Sequence, residues 1–284
     1  MNIFHKPQDR PALVACVSDW HLNDITGLCP PEFRREQGAT YIPGPAGMAL
    51  WEAWEGFWEI IGAKKKEQRA TTYAICDGDL CDFNRYSQAQ LISQRREDVL
   101  MALHDVAEPI LKVADHIFVI RGTASHTEGT GGVEDIFAAE IGAERTEDGS
   151  ASWWVLRAEL GGVRFDATHH PPTYSRRPWT RTSSAERAAA ILAANYLKED
   201  KAADVPKVAL WAHVHFSAEG HGLGVHGFFL PPFKLVGEFG HRLGTGAHIE
   251  KVGGLWLLCH EGRVLDWDWE LWAPKEIPIW RNTR

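Results

Sequence analysis

The chain has 284 residues, 44% of them hydrophobic and 24% charged, an ordinary globular balance that excludes intrinsic disorder. It holds no apolar run of the roughly 18 residues a membrane span needs, and its opening residues lack a cationic stretch followed by an apolar core, so a cytoplasmic protein without a membrane partner is expected. The formal net charge of −8 argues against broad non-specific binding to nucleic acid, and five cysteines without CxxC spacing argue against a disulfide framework, with Cys16, Cys76 and Cys259 reading as buried thiols.

In chain order, residues 13–17 read as a short buried strand, and residues 26–47, rich in proline and glycine, as a long loop. Residues 46–68 carry Trp51, Trp54, Trp58 and Ile61 at three- and four-residue steps, the stripe of an amphipathic helix. A strand over 72–76 comes next, then a helix over 88–113 that Pro109 is expected to kink or shorten, then a strand over 117–120. Residues 153–160 and 163–168 flank Gly161-Gly162 and predict a hairpin. A helix is predicted over 184–197, with Ser183 and Glu186 as its capping box, then a strand over 208–211. Near the C-terminus 255–259 and 264–272 form a last strand pair, with Trp267 and Trp269 on one side and Asp266, Asp268 and Glu270 on the other. Strands alternating with helices and then hairpins predict a layered α/β sandwich with mixed sheets, in one domain over residues 1–284.

The residues just after each strand carry the chemistry. The first strand leads into Asp19-Trp20-His21, the second into Asp77-Gly78-Asp79-Leu80-Cys81-Asp82, and the third into Gly122-Thr123-Ala124-Ser125-His126. His169-His170 comes after the strand over 163–168, and His213-Val214-His215 after the strand over 208–211. The carboxyl edge of an open α/β sheet is where ligands bind. Asp-x-His and His-x-His put two side chains on one side of an extended segment. Carboxylates mixed with imidazoles suit Mn, Fe, Zn or Ni better than Ca, and a carboxylate shared by two ions sets up phosphoryl chemistry.

This order of motifs, DxH, GDxxD, a Gly-containing His motif, a His pair and HxH, resembles the calcineurin-like metallophosphoesterase superfamily from Asp19 to His215. The resemblance implies a four-layer α/β/β/α sandwich with two mixed sheets and a dinuclear centre, manganese favoured. It implies that Asp19, His21 and His215 bind one ion, that His169 and His213 bind the other, and that Asp79 bridges them. His170 is the alternative ligand if the His pair slips by one. It also implies hydrolysis of phosphomonoesters or phosphodiesters, a hydroxide held between the ions attacking phosphorus in line and His126 protonating the leaving oxygen. The third motif departs from the family, which has Gly-Asn-His where this chain has Gly122-Thr123-Ala124. The GTxxH form resembles that of phage- and prophage-type members. Either Thr123 or His126 then replaces the usual Asn ligand.

Other readings stay open on the residues. Arg176, Arg177 and Arg181 come soon after the His pair and suit a substrate phosphate or a solvated loop equally. SDWHLND and GDLCD resemble motifs of double-strand-break repair nucleases, so a nucleic-acid substrate is the alternative, and the altered third motif favours a non-catalytic metal-binding scaffold. The serine/threonine phosphatase branch needs Arg-Gly after Asp82, where this chain has Phe83-Asn84. His221, His226 and His241 are candidates to line the pocket, while the remaining histidines read as structural or surface residues. Most of the 13 tryptophans read as core, with Trp20 and Trp179 as candidate stacking surfaces.

Overall fold

A computed structural model describes residues 10–83, 90–126, 132–237 and 251–274. Its elements run β1 (Ala12–Ser18), α1 (Pro45–Gln68), β2 (Thr71–Asp77), α2 (Arg96–Val113), β3 (His116–Ile120), α3 (Gly132–Glu140), β4 (Leu156–Leu160) and β5 (Val163–Thr168). Then come α4 (Arg181–Lys198), β6 (Val208–Trp211), β7 (Ala218–Gly222), β8 (Val225–Phe229), β9 (Val252–His260) and β10 (Arg263–Trp272). The strands make two five-stranded sheets, ordered β10-β9-β1-β2-β3 and β4-β5-β6-β8-β7. Both are mixed: β1, β2 and β3 run parallel while β9 and β10 join antiparallel, and β5, β6 and β8 run parallel with β4 and β7 antiparallel at the edges.

Alternation along the strands builds the layers. On β9, Trp256 and Leu258 point into a core shared with α1, α2 and α3, while Leu255, Leu257 and Cys259 point into a core between the sheets. A third core packs alanines of α4 against Trp211, Val225 and Phe229 of the second sheet. Helices, sheet, sheet and helix thus form four layers, as expected. Trp267 and Trp269 pack against the inter-sheet core while Glu270, on the other face, accepts from Trp256 Nε1 at 3.1 Å.

Four details differ from the expectation. α2 starts at Arg96, because the preceding segment is drawn across the loop after β1: Ile92 N–H donates to Asn23 O and Ser93 N–H to Asn23 Oδ1, each at 2.8 Å. Pro109 neither ends nor shortens α2, which runs on to Val113. Ser183 does not cap α4, because the helix begins two residues earlier and the Ser183 hydroxyl donates back to Thr180 O at 3.1 Å. β4 starts at Leu156, because Trp153 pairs with Ile120 of the other sheet. Three elements went unpredicted: α3 is too short for a periodic stripe, and the β7–β8 hairpin is hidden by its glycines and histidines. All five cysteines are buried free thiols. No helix among the described residues is long and apolar enough to cross a membrane.

Candidate metal centre

Each predicted ligand lies within the first residues after a parallel strand. Asp19 and His21 come after β1, Asp79 after β2, His169 and His170 after β5, and His213 and His215 after β6. The chain turns sharply there: φ is 50° at Asp19, 44° at His21, 51° at Asp79, 67° at His213 and 58° at His215. A left-handed backbone costs an L-residue about 1–2 kcal/mol, so five such residues in one place mark strain that the surroundings hold. Part of what holds it is continued pairing beyond the strands: Asp19 N–H donates to Gly78 O at 3.1 Å and His21 N–H to Asp79 O at 2.9 Å. Glycine is required where the loops touch. A Cβ on Gly78 would lie 2.5 Å from His169 Nδ1, and one on Gly122 would lie 2.1 Å from Asp79 N.

The first cluster surrounds Asp19 Oδ1. The Nε2 atoms of His215, His21 and His169 lie 3.2, 3.7 and 3.9 Å from it, and the first two are 3.2 Å apart. The second surrounds Asp79 Oδ2, with His169 Nε2 at 3.0 Å, Thr123 Oγ1 at 3.1 Å and His213 Nδ1 at 3.9 Å. Thr123 Oγ1 is also 3.2 Å from His170 Nε2 and 3.3 Å from His213 Nδ1. Both members of the His pair therefore lie at this cluster. Asp19, His21 and His215 form one group able to hold an ion, His169, His170 and His213 another, and Asp19, Asp79 and His169 link the two.

Further residues orient these. His169 Nδ1 donates to Asp77 O at 2.8 Å, which turns Nε2 towards Asp79 and Asp19. Asp82 takes His21 Nδ1 on Oδ2 at 2.9 Å and His126 Nδ1 on Oδ1, and Lys234 Nζ bridges Asp82 and Asp24 at 3.2 and 3.0 Å. Glu134, fully buried on α3, accepts Leu80 N–H at 3.1 Å and Gly122 N–H at 2.8 Å, joining the loops after β2 and β3. Such outer contacts fix ligand orientation.

The electrostatics call for cations. Burial disfavours charge on Asp19, yet the imidazoles of His215, His21 and His169 hold its carboxyl well below the usual range. Asp79 is likewise held down against burial, chiefly by His169. In return His169 is pushed up to about 10 against burial by Asp79, Asp19 and Asp77. His21 rises to about 9, against burial and the Lys234 charge, because Asp82 and Asp19 flank it. Burial with His169 and His213 drives His170 down to about 4. Burial lifts Asp77 to about 8, and neither of its carboxylate oxygens has a hydrogen-bond partner. Without ions, protons on His169 and His21 supply the charge that these carboxylates require.

No protein-family model matches the sequence, and no curated protein matches it either. Several solved structures are similar to this chain at low identity. Vps29 from Entamoeba histolytica, crystallised with zinc, is 12% identical over 86% of this chain and 84% of its own, with a TM-score of 0.40. A predicted phosphoesterase from Streptococcus pneumoniae is 10% identical over 88% of this chain and 84% of its own, with a TM-score of 0.34. An archaeal phosphodiesterase is 10% identical over 86% of this chain and 92% of its own, with a TM-score of 0.39.

The remaining candidates separate. Arg176 and Arg177 are exposed on the loop after the His pair, and the Arg181 guanidinium lies over the Phe216 ring, 4.3 Å from its centre and one residue beyond His215. Trp20 is fully buried between Trp54 and Phe137, a core residue, whereas Trp179 is 79% exposed. His221 and His226 meet each other across the β7–β8 hairpin, and His241 lies outside the described residues. Asn23, Asp77, Glu134 and Lys234 carried no predicted role. Asp77 had a signal, an acid ending an apolar strand just before the GDxxD motif; the other three had none.

Proposed function

We propose that this protein is a phosphoesterase that hydrolyses phosphomonoesters or phosphodiesters with two divalent ions, manganese first among them. Asp19, His21 and His215 would hold one ion, His169, His170 and His213 the other, with Asp79 between. One observation carries the reading: Asp19 Oδ1 is buried, accepts no hydrogen bond, and has three imidazole Nε2 atoms within 3.9 Å. Carboxylate and imidazole donors at that spacing suit a divalent transition ion. When bound, such a pair of ions polarises a phosphoryl oxygen and lowers the pKa of a water. His126 is turned by Asp82 so that its Nε2 is the atom to carry a proton to the leaving oxygen. Thr123 holds Asp79 through its N–H and hydroxyl, which keeps that carboxylate aimed at both clusters. Arg176 and Arg177, exposed on the loop after the His pair, would meet a substrate phosphate arriving from solvent.

Metal analysis after manganese loading should approach two equivalents in the strand-end centre. Asp79→Asn should lose at least a hundredfold in turnover on nitrophenyl mono- and diesters while keeping its far-ultraviolet circular dichroism. At most one equivalent would overturn the paired ions, and near-parental turnover in Asp79→Asn would overturn the site.

A further inference from the structure

We propose a separate metal site on the β7–β8 hairpin, made by Glu219, His221 and His226 and suited to a zinc-class ion. It shares no residue with the strand-end centre. His221 on β7 stands directly opposite His226 on β8, and Glu219 lies two residues before His221 on the same face, diagonal to His226. The two rings stack with centres 3.7 Å apart at 28°, and His226 Nε2 is 2.6 Å from Glu219 Oε2. One ligand atom from each residue falls within a 4.8 Å group. Zinc takes N and O ligands at about 2.0–2.2 Å in tetrahedral array, so small side-chain rotations close three positions and leave the fourth to water.

The setting fits an ion. His226 is only 12% exposed, packed on Phe228 and Trp267, and burial together with His221 holds its imidazole below the ordinary value despite Glu219, which favours the neutral form that ligates. Glu219 is 40% exposed and His221 is exposed, which gives an entry path. β7 is an edge strand, paired to β8 on one side and packed by one face on α4. On its α4 side, a Cβ on Gly220 or Gly222 would lie 2.4 Å from Glu186 N or 2.3 Å from Glu186 O, so that face presents bare backbone at both positions. An ion on the opposite face clips β7 to β8. Binding replaces the hydrogen bond between His226 Nε2 and Glu219 with bonds from both to the metal, the single proton of the neutral imidazole passing to Nδ1, so His226 releases no proton.

The test uses the full chain, stripped by chelator and given increments of Zn(II). Hydrogen exchange read by mass spectrometry should show the 218–229 amides slowed at least tenfold in the parent protein. His221→Ala, which removes an exposed side chain, and Glu219→Gln, which keeps its volume, should abolish that slowing and bind one equivalent of zinc fewer. Hairpin exchange unmoved by zinc in the parent protein, or equal slowing and stoichiometry in both variants, would leave the cluster as a hydrogen-bonded pair with a stacked neighbour and overturn the site. Because the strand-end ligands are intact in both variants, the equivalents held there report separately on the proposed phosphoesterase centre.

Discussion

Glu134 is fully buried, and each of its carboxylate oxygens accepts a backbone N–H from a different loop of the candidate centre. Burial lifts its carboxyl to about 7, against the pull of the Gly122 N–H and with the Asp79 charge adding to the rise. The folded protein therefore keeps this proton at pH values where the unfolded chain has lost it. Between the ordinary glutamate value and about 7 the native state binds more protons, so its stability falls as pH rises. In chelator-treated protein, melting temperature should decline from pH 4.5 towards pH 7 on account of this group, and Glu134→Gln should flatten that segment. The substitution also swaps one acceptor for a donor facing a backbone N–H, costing about 1–3 kcal/mol at low pH. A variant profile parallel to that of the parent protein would show that Glu134 does not titrate there. The ligands were legible in the sequence because DxH, GDxxD and HxH place several donors together in the chain. Glu134 was not, because it reaches its two loops from a short helix and nothing local distinguishes it from a surface acid.

Strands such as β1, β2 and β6 were the most legible elements, since each is an apolar run leading into candidate ligands, and helix starts were the least. Residues 91–95 look helical in pattern but are captured by Asn23, whose amide joins the segment to the loop after β1. Ser183 and Glu186 have capping-box spacing, yet the turn at Pro178–Thr180 starts α4 earlier and takes the serine hydroxyl on Thr180 O. Pro109 is the reverse case, a breaker that tertiary packing overrides. Val106, Ala107 and Ile110 around it are buried against the first sheet and α1, and that burial outweighs the missing N–H donor. An interior proline costs about 3 kcal/mol relative to alanine, partly offset by about 0.4–1 kcal/mol from a less free unfolded chain. Pro109→Ala should therefore stabilise the protein by about 2–2.6 kcal/mol and raise its melting temperature by roughly 4–10 °C. An unchanged or lowered melting temperature would mean that α2 is shaped to its proline.

At the scale of the whole molecule, the candidate centre is divided between the two sheets. The first sheet carries Asp19, His21 and Asp79; the second carries His169, His170, His213 and His215. Each ion-binding group that contains Asp19 needs a donor from both sheets, so its geometry depends on the packing between them. Two truncations of the same chemistry separate that dependence from simple loss of stability. Leu257 is fully buried in the inter-sheet core, opposite Val14 in the β1–β9 register. Leu103 is equally buried, but lies on α2 in the core between helices and first sheet. Replacement by alanine at either site should cost about 2–5 kcal/mol of stability through lost contacts and a cavity. Only Leu257→Ala loosens one half of the ligand set against the other. Manganese affinity, measured against a competing chelator well below both melting temperatures, should fall about tenfold in Leu257→Ala, a change of about 1.4 kcal/mol. In Leu103→Ala it should stay within about threefold of the parent value, roughly 0.7 kcal/mol on the same scale. Equal losses in the two variants, or none in either, would mean that strand-end loops hold the ligands without help from the packing between the sheets.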